Sequence, residues 1–284
     1  GYFQYSAATS ALTCGGDLVL TNGARLRIYS GPTNTAGGSG ALVDIKGNTS
    51  LGVGSWIHPV SNPTNGGSPL FLMQNLTIDT NAGFNANQVG YGGGGGSRAL
   101  GYGPGTGGTN NSGGSGGGYG GTGGVYLTVA GGITYGSSNA PVDPGSGGGR
   151  TATNENIVNS GGSGGGLIRL EIAHTLTLDG ALTANGRSAG ASGTDAGAGA
   201  GGGIHVRCRT VTGTGSVMAD GGSGAGGGGG GGGGRIAVWR NYDTFAGAAS
   251  ATGGPSSTAI RNGKDGTVVW GSLGGLSGTF FSFE

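Results

Sequence analysis

Apolar residues in this chain come in short runs, and the later runs each follow a glycine tract. Leu167-Ile168-Arg169-Leu170-Glu171-Ile172, Ile204-His205-Val206-Arg207-Cys208-Arg209 and Arg235-Ile236-Ala237-Val238-Trp239-Arg240 are β-branched and apolar at alternate or adjacent positions. Runs of this length, bounded by turn residues, read as strands, and no stretch combines a 3.6-residue period with helix-forming residues. Leu167 to Ile204 is 37 residues, and Ile204 to Ile236 and Ile236 to Val268 are 32 each. Val125-Tyr126-Leu127-Thr128-Val129 lies 42 residues before Leu167 and reads as a further strand of the series.

A weaker segment follows each run: residues 176–186, 211–221 and 245–253. The three superpose as apolar, turn, apolar, Ala, small or polar, Gly, with turn signals at Asp179-Gly180 and Asn185-Gly186. A unit of short strands and turns that repeats at this length is the signature of a solenoid, in which each coil buries its apolar face against its neighbours. Leu18-Val19-Leu20, Leu42-Val43-Asp44-Ile45 and Leu70-Phe71-Leu72 carry the same pattern at spacings of 24 and 28. The expected fold class is therefore all-β, a parallel β-solenoid. Residues 1–89 form plain coils, 90–270 form glycine-decorated coils, and 271–284 form an aromatic C-terminal strand that caps the core or meets another subunit.

Composition sharpens the account of the tracts. Of 284 residues 78 are Gly, yet only 8 are Pro, 9% are charged, and the formal charge is +1. Disordered chains with this much glycine usually carry more charge or proline. Holding Gly in a fixed conformation costs about 0.5–1 kcal/mol more per residue than holding Ala. Ordered tracts therefore require dense backbone hydrogen bonding in return. The tracts near 90–124, 145–166, 187–203, 221–234 and 253–266 are expected to leave one edge of successive coils. There they would pack as three-residue-per-turn polyglycine II helices, the alternative being mobile surface loops.

Three phrases, Gly164–Ile172, Leu176–Gly186 and Gly232–Trp239, resemble glycine-rich repeats in very large secreted or surface proteins of environmental bacteria. The resemblance covers roughly residues 75–270 and implies an extracellular structural or adhesive role with no catalytic residues. A looser resemblance, in glycine-tract chemistry alone, is to phage tail-fibre adhesins built on packed polyglycine helices.

Chemical signals are few. The near-neutral charge leaves no footprint for nucleic acid, and no run of about 18 apolar residues exists to cross a membrane. Gly-x-Gly-x-x-Gly recurs without a following helix and carries no nucleotide signal. No cofactor, metal or catalytic cluster is expected: His58, His174 and His205 are far apart, and Asp179, Asp195 and Asp220 are scattered. A polysaccharide lyase or hydrolase on the solenoid is the third functional reading. Asn48, Asn75 and Asn110 stand in Asn-X-Ser/Thr sequons.

Cys14 and Cys208 either form one long-range disulfide or remain two free thiols. Arg169, Arg207 and Arg240 occupy comparable strands and read as an exposed basic ladder, either ion-paired or binding an acidic glycan. Tyr2, Phe3 and Tyr5 at one end, and Phe280, Phe281 and Phe283 at the other, are candidate subunit contacts for a head-to-tail filament. The functional expectation is a non-enzymatic fibre subunit at the cell surface, with a carbohydrate- or receptor-binding adhesin as the alternative.

Overall fold

Short β-branched runs interrupted every few residues by Asn-Gly, Asp-Gly or lone Gly cannot extend into long strands. In the computed structural model the described residues form 20 strands, none longer than 6 residues, in three parallel sheets. The structure describes residues 2–3, 11–34, 38–95, 99–110, 112–151, 160–190 and 195–274.

Sheet A holds β1 (Tyr2–Phe3), β4 (Arg25–Tyr29), β7 (Trp56–Val60), β10 (Gly83–Asn85), β13 (Ala181–Thr183), β16 (Ser216–Met218) and β19 (Ala248–Ser250). Sheet B holds β2 (Ala11–Cys14), β5 (Ala41–Ile45), β8 (Pro69–Met73), β11 (Leu167–Ile172), β14 (Gly203–Arg207), β17 (Arg235–Arg240) and β20 (Thr267–Ser272). Sheet C holds β3 (Leu18–Leu20), β6 (Thr49–Leu51), β9 (Leu76–Ile78), β12 (Thr175–Leu178), β15 (Thr210–Gly213) and β18 (Tyr242–Phe245). The chain visits A, B and C in turn throughout, which makes a parallel β-solenoid. Inward positions stack into columns such as Val43, Phe71, Leu170, Val206 and Val238 on sheet B. Phe71 and Phe84 meet edge to face inside, with ring centroids 5.2 Å apart.

Every glycine excursion leaves at the same corner, between a sheet-A strand and the following sheet-B strand. Residues 86–166, 184–202, 219–234 and 251–266 all start with a buried alanine and end with a glycine. That last glycine donates its amide to the alanine carbonyl: Gly166 to Ala86 at 2.7 Å, Gly202 to Ala184 at 2.7 Å, Gly234 to Ala219 at 2.8 Å and Gly266 to Ala251 at 2.7 Å. One clasp thus closes excursions of very different length. The closing glycines also stack, because a Cβ on Gly202, Gly234 or Gly266 would collide with the carbonyl oxygen of the closing glycine one coil before. Beside the alanines runs an Asx column. Asn87 Oδ1 accepts from the Asn185 amide at 2.7 Å, Asn185 Oδ1 from Asp220 at 2.8 Å, and Asp220 Oδ1 from Thr252 at 2.7 Å.

Within the excursions, hydrogen bonds recur every third residue. Gly229 and Gly232 donate to Gly114 and Gly117, Gly230 and Gly233 to Arg261 and Lys264, and Gly231 and Gly234 to Gly222 and Ala219. In return, the carbonyls of Gly229 and Gly232 accept from Ala198 and Gly201. Those of Gly230 and Gly233 accept from Gly124 and Gly121, and that of Gly231 from Gly254. This buried tract is therefore bonded to six surrounding segments. The 160–166 tract behaves alike: Gly161 and Gly164 donate to Gly94 and Tyr91, while Gly162 and Gly165 donate to Gly197 and Ala200.

One expected strand is absent. Val125–Val129 is a tight turn closed by an antiparallel Tyr126–Val129 bridge, with Leu127 at φ 49° and largely exposed. A solenoid strand needs an in-register neighbour in an adjoining coil, and this partly exposed segment belongs to the excursion, where none is offered. The whole of 86–166 is consequently a single excursion.

Candidate functional site

Among the described residues, the core is only partly covered at the two ends of the solenoid. Leu12, Cys14, Leu18, Ala24 and Leu26 are half-buried over the core at the N-terminal end, and Phe245, Ala249 and Trp270 at the C-terminal end. Phe245 and Trp270 stack with centroids 5.6 Å apart, and with Ala249 and Val268 they line a hollow of about 390 Å3. Asp243 occupies the inward column that Leu76, Leu176 and Val211 fill in earlier coils. A carboxylate is tolerated there because no described coil covers it and Arg240 pairs with it at 2.5 Å. Partial burial pushes the Asp243 carboxyl up, but the Phe245 amide and Arg240 outweigh it and leave the group below the usual range. The Arg240 guanidinium also lies 5.2 Å from the Trp270 ring centroid. Tyr2 and Phe3 pair through their backbones with Arg27 and Ile28, extending sheet A at the other end. Tyr5, Phe280, Phe281 and Phe283 lie outside the described residues.

The three arginines expected as a ladder do not align. Arg169 is in register with His205, Arg207 with Glu171 and Trp239, and Arg240 with Ser272. Their partners differ too: Arg169 donates to the Gly38 carbonyl, Arg207 faces Glu171 at 3.5 Å, and Arg240 pairs with Asp243. Part of this sheet-B face is also covered by the longest excursion. Arg235 Nε donates to the Tyr135 carbonyl at 2.9 Å and Trp239 Nε1 to the Asn139 carbonyl at 2.6 Å.

Cys14 and Cys208 are both free thiols. They lie in one inward column, separated by Ile45, Met73 and Ile172. Four strand steps of about 4.8 Å put them roughly 19 Å apart, beyond disulfide reach. Burial pushes the Cys208 thiol up to about 12, so it is inert as a nucleophile.

Several polar clusters escaped sequence reasoning because their members come from different excursions. Tyr126 Oη donates to Asp195 Oδ2 at 2.7 Å, Asp195 Oδ1 accepts from the Gly227 amide at 2.6 Å, and Arg261 covers the Tyr126 ring at 5.2 Å. This lashes four excursions together. Nearer the solenoid, Arg235 lies 5.5 Å from the centroid of the fully buried Tyr119 ring, which packs 4.7 Å from Tyr135. Burial, and then Asp143, raise the Tyr119 phenol far above its usual value. His205 is buried and its pKa is lowered to about 4, by burial first and then by Arg169 and Arg207, whereas His174 is exposed in a turn. Of the sequons, Asn75 Nδ2 is committed to Asn48 Oδ1 at 2.8 Å.

A groove of about 590 Å3 runs along the corner between sheets B and C, lined by Asp44, Lys46, Glu171, Arg207 and Arg209 among others. Its charges are largely internal pairs: Lys46–Asp44 at 2.6 Å and Arg207–Glu171 at 3.5 Å. No family model matches the chain, and neither the curated proteins nor the solved structures include a match.

Proposed function

We propose that this chain is the subunit of an extracellular structural fibre, assembled head to tail. The observation that carries the reading is the pair of half-buried apolar cross-sections that the described residues leave at the ends of one parallel solenoid. A parallel coil has the same strand direction at both ends. The C-terminal edge of one copy, β18 to β20, therefore offers the N-terminal edge of the next the same backbone pattern that joins coils within the chain. Such an interface is heterologous and repeats without closing. An uncovered edge is otherwise an aggregation liability that folds usually cover, twist or charge.

The glycine layer supports a mechanical role. Its three-residue recurrence and its bonding to surrounding segments on all sides fit polyglycine II packing, in which amides of neighbouring helices satisfy one another. Few charges and little protruding side chain suit a material exposed to proteases and changing salt.

The test is electron microscopy of the purified full chain across concentration. Wild type is expected to form filaments whose axial repeat is one solenoid length, while Trp270→Asp, which places a carboxylate in the apolar cross-section, yields dispersed monomers. Wild-type protein that stays monomeric at every concentration, or Trp270→Asp filaments indistinguishable from wild type, would overturn the reading.

A further inference from the structure

The outer face of sheet A changes chemistry along the solenoid axis. In the later coils its two columns carry Ala181, Ser216 and Ala248, and Thr183, Met218 and Ser250. In the early coils the same columns carry Arg25, Trp56 and Gly83, and Arg27 and His58, with Asn85 two residues beyond Gly83 on the second column. Arg25 and Arg27 are exposed, and the ion pairs among the described residues involve other side chains. Trp56 leans across Gly83, its Cζ3 only 3.1 Å from where a Cβ on that glycine would stand. The missing side chain lets the half-buried indole lie down on the sheet, one strand over from the two arginines.

We propose that this face binds an anionic polysaccharide, with a sugar ring stacked on Trp56 and its carboxylate or sulfate groups held by Arg25 and Arg27. Two residues apart on one face of a strand, the arginines stand roughly 6.6 Å from each other. Each offers a planar fork that fits a carboxylate or sulfate in bidentate fashion. The indole supplies the apolar surface that the C–H face of a pyranose requires, and the Asn85 side chain lies one step along the neighbouring column for a ring hydroxyl. The local field asks for an anion: His58 has a lowered pKa through burial and then through Arg27 and Arg25.

Nucleic acid is disfavoured. A phosphate backbone is followed by an extended basic track, and here the basic residues are confined to one strand and its neighbour in a chain of formal charge +1. The site does not depend on the fibre reading. In a head-to-tail stack this face remains lateral, so the same patch would recur once per subunit along the axis.

Binding is read by intrinsic fluorescence and calorimetry on the full chain, with polygalacturonate, dextran sulfate, neutral dextran and a single-stranded thymidine oligonucleotide. At least one acidic glycan is expected to bind, the tighter of the two identifying the acid, with affinity falling as salt rises from low to physiological strength. Trp56→Ala and the double variant Arg25→Gln/Arg27→Gln should each weaken binding by about tenfold or more, the double variant also flattening the salt dependence. Arg209→Gln, remote from this face, should bind as wild type does. Because Arg25 and Arg27 are exposed, the double variant tests the site even if Trp56→Ala folds poorly. The proposal is overturned if neutral dextran binds equally well, if the oligonucleotide outcompetes both glycans, or if the double variant binds like wild type.

Discussion

The early coils and the late coils share one cross-section but treat their A-to-B corner differently. Between β7 and β8 the chain crosses that corner in residues 61–68, whereas between β10 and β11 it departs for 86–166. Yet Leu70 still pairs with Arg169 and Phe71 with Leu170 across that gap, in the register set by earlier coils. Coil geometry is therefore fixed by the strands and by closure of the corner, and is indifferent to how much chain lies between. The late coils need something the early ones do not, a glycine at each closing position stacked on the glycine before it. That is where the two regions should respond differently to the same substitution.

The sharpest contrast is Gly234→Ala against Gly15→Ala. The added methyl at 234 would fall on the Gly202 carbonyl and the Ala219 side chain, whereas at 15 it meets nothing within 4 Å. Thermal unfolding should show a loss of about 3 kcal/mol for the first and close to none for the second. Equal, small effects would mean that the clasp column is plastic and that the comparison fails.

A second contrast is set by pH. His205 lies in a late coil with a folded pKa of about 4 against an ordinary 6.5, so between those values the folded chain binds fewer protons than the unfolded one. Its contribution is complete above about pH 6.5 and is lost as pH falls toward 4, on the order of 2–3 kcal/mol in all. Urea midpoints measured at pH 7 and pH 4.5 should separate wild type from His205→Gln, whose pH slope is shallower. Parallel slopes would remove His205 from the account.

The smallest expected effect concerns the thiols, one in each region. Reductant should leave the unfolding midpoint unchanged, whereas a disulfide spanning nearly 200 residues would add several kcal/mol. Alkylation of the native chain should label the half-buried Cys14 and spare Cys208.

The architecture was legible because strand chemistry and glycine placement repeat along the chain. Ile204, Ile236 and Val268 do stack as their spacing implies. The first of the series was misjudged by one residue: Ile168, not Leu167, pairs with Ile204. In a strand, one residue exchanges the inner and outer faces. Arg169 aligned by spacing would oppose Val206, whereas it opposes His205; Arg207 in turn opposes Trp239 and not Arg240, so the three arginines fall in three different columns and form no ladder. The Ala-Asn-Gly, Ala-Asp-Gly and Ala-Thr-Gly triplets were visible as a repeat, but their hydrogen-bonded columns are visible only once the coils are stacked. Trp56, Arg25 and Arg27 gave no signal, because their proximity comes from neighbouring coils and from a glycine in a third.

Insertion at a single corner separates two dimensions that most folds couple. Each coil advances the axis by about one strand spacing, roughly 4.8 Å, whether its corner holds eight residues or eighty. Contour length is set by the number of coils, and girth by the length of chain looped out at that corner. A lineage could thicken this solenoid, or roughen one flank of it, without shifting any coil along its axis.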